Sequence, residues 1–89
     1  MDYKENIKRI EHMEVCFDQL LLIDDLNVIY DSNDLKIKVR NLIHYVESKM
    51  WLEDYELDEH HLLPDNLKRG VLSQDMLYNF LENIDISKL

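Results

Sequence analysis

The chain has 89 residues, which suits one domain with one modest core, because a chain of this length buries only about 60–65% of its unfolded surface. Hydrophobic residues make up 46% of it, which excludes a disordered acidic tail, and one glycine and one proline are too few for a turn-rich β-sandwich or barrel. The net charge of −9 repels nucleic acids and anionic membrane surfaces, whereas it attracts basic proteins and metal cations.

The first predicted element is an amphipathic helix. Apolar residues recur at gaps of three and four from Ile7 to Leu21, which places them on one helical face. Between Leu22 and Tyr30 a second apolar stripe lies nearly opposite the first. Either the helix continues with both faces covered, or it breaks near Asp24 and Asp25. We favour a continuous helix to about Tyr30.

The following elements are predicted from turn, capping and periodicity signals. The polar cluster of residues 31–34 predicts a turn, because its side chains hydrogen-bond nearby backbone groups. One apolar stripe from Leu35 to Met50 then predicts a second helix that docks against the first as an antiparallel hairpin. Pro64 at a first helical position and Gly70 in a left-handed conformation predict a single helical turn between them. Ser73 predicts the N-cap of a last helix.

Together these elements predict an all-α fold: a long antiparallel helical hairpin, then a short irregular helical segment, then a final C-terminal helix. No internal repeat or linker is visible, so residues 1–89 are expected to form a single helical domain. Cys16 is the only cysteine and cannot form an internal disulfide. The charged N-terminus precedes no apolar segment, and we therefore expect a cytoplasmic location.

Two runs in the C-terminal half resemble a known family. WLEDYELDE, from Trp51 to Glu59, is similar to a W-x-x-D-Y-E-x-D-E segment, and LPDNLKRGVLSQDMLY, from Leu63 to Tyr78, to an L-P-x-x-L-K-R-G-V-L-S-x-D-x-L-Y segment. Both segments belong to a small bacterial family that is recorded as a domain of unknown function. The resemblance implies no activity and no cofactor. His60 and His61 depart from the family pattern, so any histidine chemistry there would be particular to this protein.

The acidic segment from Glu53 to Glu59, followed by two histidines, is the sharpest chemical signal. On a helix, Asp54, Asp58 and His61 lie at positions i, i+4 and i+7 on one face, where carboxylate and imidazole ligands suit a divalent transition metal. A solvated acidic helix face is the alternative, since one helix supplies too few ligands to close a site. No cofactor is predicted from any sequence motif.

The cations Lys68 and Arg69 form a second candidate site beside the only glycine. They could bind a phosphate or carboxylate. We favour a structural role in which both cations pair with the acidic segment. In particular, a salt bridge from Arg69 to Asp54 or Glu56 is expected.

The sequence contains no recognisable catalytic constellation, which favours a role other than catalysis. It predicts a protein–protein interaction module with a basic partner, bound through aromatic anchors and nearby charges. Two alternatives remain: a small metal-dependent enzyme that uses the acidic and histidine segment, and an immunity or inhibitor-type protein that binds a basic surface. Neither nucleic acid nor membrane is an expected partner, and a homo-oligomer is possible. The predicted partner-binding residues are Trp51, Glu53, Asp54, Tyr55, Glu56, Lys68 and Arg69.

Overall fold

A computed structural model describes residues 3–89, so the first two residues of the charged N-terminus lie outside the described range. Within that range the chain is helical and holds no strand, which confirms the predicted all-α class. Among the helices of residues 3–89, none combines the length and the apolar character that crossing a bilayer requires. The elements are α1 (Lys4–Leu21), α2 (Asn27–Tyr30), α3 (Asn33–Glu47), α4 (Lys49–Glu59), a first 3-10 helix (Gly70–Leu72), α5 (Gln74–Glu82) and a second 3-10 helix (Ile86–Lys88).

The predicted continuous first helix is wrong, because α1 ends at Leu21 and a separate short helix follows. Asp25 lies in the break, where its Oδ1 accepts hydrogen bonds from the backbone and side-chain nitrogens of Asn27 at 3.0 and 3.1 Å. Such local bonds give the backbone an alternative to helical hydrogen bonding. The break turns the second apolar stripe inward at Ile29, which is fully buried, while Leu22 stays 82% exposed.

Two helices begin at serine caps: Ser73, which the sequence predicts, and Ser32, which lies in the polar cluster predicted as a turn. Ser32 Oγ accepts a hydrogen bond from Leu35 N–H at 3.2 Å, at the start of α3. Ser73 Oγ does the same for Met76 N–H at 3.4 Å, at the start of α5. Each hydroxyl satisfies one of the amide donors that a helix leaves free at its N-terminus.

The end of α3 differs from the prediction. The helix stops at Glu47, and Met50 lies in α4 with 47% of its surface exposed. Ser48 separates the two helices, since its hydroxyl donates to Tyr45 O at 2.6 Å and accepts from Trp51 N–H at 3.4 Å. One short side chain therefore ends α3 and caps α4.

The predicted helical turn after Pro64 is present only in part, and its predicted left-handed end at Gly70 is wrong. Leu67 N–H donates to Pro64 O at 3.1 Å, which closes one turn within an otherwise irregular loop. Gly70 has no positive φ and opens the first 3-10 helix. The residue in the left-handed region is His61, with φ of 56°, just after α4.

A buried carboxylate on α1 explains why glycine stands at position 70. Glu14 is 5% exposed and accepts hydrogen bonds from the N–H groups of Gly70 at 3.1 Å and Val71 at 2.9 Å. A β-carbon on residue 70 would lie 2.8 Å from Glu14 Oε1, which is closer than van der Waals contact allows. The absence of a side chain lets the carboxylate reach both donors.

The core is formed by buried apolar residues of all five α-helices and of the first 3-10 helix, which contacts α1, α4 and α5. Phe17 and Phe80 make an edge-to-face contact with ring centroids 5.8 Å apart. Contact between α1 and α3 agrees with the predicted hairpin, whose antiparallel arrangement stays a prediction, as does the single domain. The fully buried apolar side chains are Ile10, Phe17, Leu20, Ile29, Val39, Leu42, Val71 and Leu77.

Gly70→Ala is expected to lower the free energy of unfolding by about 1 kcal/mol, because the new methyl group displaces the Glu14 carboxylate from two amide donors. In a Glu14→Ala background the same change should be neutral or stabilising, since alanine restricts the unfolded chain and contributes about 0.4–1 kcal/mol. Urea unfolding of the wild type, both single variants and the double variant measures this coupling. Equal destabilisation in both backgrounds would contradict the close approach of Glu14.

Candidate functional site

Asp54, in the middle of the acidic segment, has a fully buried carboxylate. Arg9 donates to it twice, from Nε to Oδ2 at 2.9 Å and from Nη2 to Oδ1 at 2.6 Å. Asn6 Nδ2 donates to Oδ1 at 2.9 Å, and Tyr45 Oη donates to Oδ2 at 2.6 Å. The carboxylate therefore links α1, α3 and α4 and does not face solvent.

The surroundings of Asp54 raise the pKa values of two of its donors. Burial raises the pKa of Tyr45, and the hydrogen bond to Asp54 raises it further, so the phenol stays a neutral donor far into the alkaline range. The hydrogen bond to the Asp54 carboxylate raises the pKa of Arg9, which stays a cation. Arg9 and Tyr45 therefore keep the protons that they donate to the Asp54 side chain.

Arg69 pairs with Asp58, so the predicted salt bridge to Asp54 or Glu56 is wrong in its partner. The bond joins Nη1 of the arginine to Oδ1 of the aspartate. Arg69 also donates from Nη2 to Pro64 O at 2.7 Å and from Nε to a second loop carbonyl at 3.3 Å. One guanidinium therefore ties the loop between α4 and the first 3-10 helix to α4.

The residues of the predicted metal site have other surroundings. Asp54 is held by its buried donors and Asp58 by Arg69, whereas His61 is exposed. The helical spacing fails at His61, because α4 ends at Glu59. Within residues 3–89, no group of three or more histidine, cysteine, aspartate or glutamate side chains is arranged to hold a metal ion. The metal-dependent enzyme stays a prediction.

The predicted partner-binding residues of α4 divide between core and surface. Trp51 is only 6% exposed, and Tyr55 stacks on it with ring centroids 5.2 Å apart. Glu53 and Glu56 are exposed, and Glu53 Oε1 accepts a hydrogen bond from Asn6 Nδ2 at 2.9 Å. The expected tryptophan anchor is therefore part of the fold, whereas the predicted acids Glu53 and Glu56 lie on the surface of α4.

Sequence reasoning missed a groove between α1 and the loop that precedes the first 3-10 helix. Its volume is about 470 Å³. The loop wall is held by the Arg69 contacts and, at its end, by the Glu14 carboxylate. We refer to this cavity as the α1 groove, and its apolar lining comes from Ile7, Val15, Pro64 and Leu67.

Charged side chains also line the α1 groove. Lys68 Nζ binds Asp18 Oδ2 at 2.8 Å, and the two side chains are 74% and 42% exposed. The hydrogen bond to Asp18 raises the pKa of Lys68. Glu11 is exposed and has no ion-pair partner within residues 3–89. The groove thus joins an apolar lining to carboxylates that water can reach.

One weak sequence signal points to this groove. Val15 lies off the apolar stripe of the first helix and is 58% exposed. An isolated exposed valine is common on protein surfaces and needs no explanation by itself. The loop residues that complete the groove are about fifty positions away in the sequence, as the Lys68–Asp18 pair shows.

Comparisons with known proteins identify a family and give no activity. Residues 10–87 match the family model described as "Domain of unknown function (DUF4298)", which confirms the resemblance to a family of unknown function. The chain is also similar to apolipoprotein B-100 of Homo sapiens, with 30% identity over 88 residues. That match covers 99% of this chain but 2% of the relative, so it carries no argument about function. No solved structure matches the chain.

Asp54→Ala is expected to lower the free energy of unfolding by about 3 kcal/mol, because it leaves the Tyr45 hydroxyl and the Arg9 guanidinium without their acceptor. Asp58→Ala is the matched control, since it removes a carboxylate from the same helix that is partly exposed. We expect the control to lose about 1 kcal/mol. Urea unfolding monitored by circular dichroism gives both values, and equal losses would contradict the central role of Asp54.

The free energy of unfolding is expected to fall as the pH rises above about 10, because the unfolded chain ionises Tyr45 there and the folded protein does not. The pKa of Tyr45 is higher in the folded protein than in the unfolded chain. The contribution of Tyr45 to stability is therefore complete below the pKa of the unfolded chain, and it is lost as the pH rises above that value. Tyr45→Phe has no phenol proton at this position, so its stability should fall less steeply. Urea unfolding at several pH values from about 8 to 11 compares the slopes. Identical slopes would exclude the raised pKa.

Proposed function

Since the chain belongs to the DUF4298 family, whose description names no activity, we propose its function from the geometry of the α1 groove. The protein is an interaction module that binds a basic segment of a partner protein. The observation that carries this proposal is an apolar groove flanked by the exposed carboxylates of Glu11 and Asp18. The net charge of −9 also favours a basic partner.

Apolar lining and exposed acids would make different contributions to binding. Burial of the partner's apolar side chains against Val15 and Leu67 supplies the hydrophobic free energy, at about 25 cal/mol per Å² of apolar surface. The carboxylates of Glu11 and Asp18 orient the partner and speed its approach, because complementary charges steer encounter. A partner with cations beside apolar residues satisfies both requirements.

The groove walls are held in place by the protein's own contacts, which supports a preformed binding site. Arg69 ties the loop to α4 through its ion pair with Asp58. It also donates to Pro64 O, which links two parts of the loop. Glu14 on α1 binds the backbone at Gly70, where that loop ends. A site that needs little ordering on binding loses less free energy to conformational entropy.

This proposal moves the predicted partner surface from α4 to α1. Of the residues that the sequence suggested, Lys68 lines the groove and Arg69 supports its wall. Glu53 and Glu56 lie on α4 and contribute charge to the approach of a basic partner. An immunity or inhibitor-type role is a special case of the same interaction, distinguished by the identity of the partner.

A selection from a displayed library of random peptides of about 15 residues tests the proposal. Peptides that combine lysine or arginine with apolar residues should be enriched on the wild-type protein. Reversal of both groove carboxylates, Glu11→Lys with Asp18→Lys, should weaken the selected peptides about tenfold in fluorescence anisotropy. The loss reflects two repulsive contacts in place of two attractive ones.

The matched control is Asp24→Lys with Asp31→Lys, which changes the net charge equally at exposed positions outside the groove lining. It should weaken binding no more than about threefold, since screened charges act weakly over distance. Circular dichroism checks that both variants fold. Equal weakening by both pairs would show a general charge effect, and failure to enrich any basic peptide would reject the proposed function.

A further inference from the structure

We propose that the occupant of the α1 groove is an amphipathic basic helix, and that one of its cations displaces Lys68 from Asp18. This inference rests on the proposed function and specifies the form of the partner segment. It also assigns a role to Lys68, which holds in the free protein the position that the partner's cation takes in the complex.

The secondary structure of the protein favours a helical occupant. Extended peptides bind most often by adding a strand to a sheet edge, and residues 3–89 hold no strand that could receive one. Polyproline segments dock in grooves lined by aromatic rings, and the lining of the α1 groove has no aromatic side chain. An amphipathic helix places its apolar face in an apolar groove, which is the recognition mode that this lining suits.

The dimensions of the groove agree with a helix of a few turns. Along α1, the lining extends from Ile7 to Asp18, which corresponds to about 16 Å at 1.5 Å per residue. Val15 lies within that stretch with 58% of its surface exposed, so it offers apolar surface that a partner can cover. Pro64 and Leu67 supply the opposite wall. A partner helix of about three turns matches this length.

The Lys68–Asp18 pair is suited to exchange. Both side chains are exposed, and exposed ion pairs contribute little to stability, so the fold does not depend on this bond. Three carboxylates line the groove, and the one of Glu14 is already bound to backbone amides. An incoming cation therefore interacts with Glu11, which has no ion-pair partner in the described chain, and with Asp18 once Lys68 leaves.

An arginine on the partner has an advantage over Lys68 at this carboxylate. A guanidinium can donate two parallel hydrogen bonds to a carboxylate, whereas an ammonium acts as a point charge. As long as Lys68 stays beside Asp18, its charge opposes the arrival of another cation. Replacement of Lys68 by a neutral residue should therefore tighten binding, even though Lys68 lines the groove.

The test uses the tightest peptide from the library selection and a version of it with proline at its centre. Fluorescence anisotropy at low ionic strength measures the affinity of each peptide. Proline prevents a continuous helix, and we expect it to weaken binding about a hundredfold. Lys68→Gln should tighten the original peptide about threefold, because the competing cation is gone. In an Asp18→Asn background, Lys68→Gln should tighten binding less, since only the repulsion by Lys68 is relieved and no carboxylate is freed for the peptide.

Lys38→Gln is the matched control, because it removes the same charge from an ion pair with Asp34 on α3 that does not line the groove. Equal tightening by Lys38→Gln, or unchanged or weaker binding by Lys68→Gln, would overturn the exchange of Lys68. Retained affinity of the proline peptide would overturn the helical occupant. Failure of the proposed function differs from both, since no basic peptide would then bind the wild type through Glu11 and Asp18.

Discussion

A carboxylate that is buried in a protein loses its hydrogen bonds to water. For Asp54 these are replaced by hydrogen bonds from Arg9, Asn6 and Tyr45, which form only when all three side chains lie beside it. Its donors come from α1 and α3, and the carboxylate itself comes from α4, so one buried charge fixes the relative positions of three helices. Apolar contacts alone tolerate small sliding between helices, whereas hydrogen bonds of 2.6 to 2.9 Å do not. The direction of α1, and with it one wall of the α1 groove, depends on this carboxylate.

The parts of the fold that the sequence predicts are those that local physics decides. Helical periodicity and a capping serine act within one or two turns, which is why the all-α class and the cap at Ser73 agree with the structure. The break after Leu21 is a competition between helical hydrogen bonding and the local bonds of Asp25. The shift of the apolar stripe at Leu22 left a break as one of two alternatives and did not decide between them. The left-handed conformation predicted for Gly70 is wrong for a related reason. Glycine is needed where another group approaches the backbone closely as well as where φ is positive, and the sequence does not distinguish the two.

The candidate site was less accessible to sequence reasoning because its parts are distant in the chain. Asp54 stands in a run of acids typical of a solvated surface, and its burial depends on Arg9, which is 45 positions away. The α1 groove joins residues of the first helix to a loop about fifty positions later, so no local window contains it. The excess of acids in the composition favours a basic partner, which stays a prediction.

The contact between Glu14 and Gly70 also constrains how such a sequence can change over time. A side chain at position 70 meets the carboxylate of Glu14, so the effect of one substitution depends on the residue at the other position. A change at either position first passes through an intermediate that has lost the bonds between Glu14 and the two backbone amides, so the second change is selected in the background of the first. The two positions are 56 residues apart, yet they should vary as a pair among related chains.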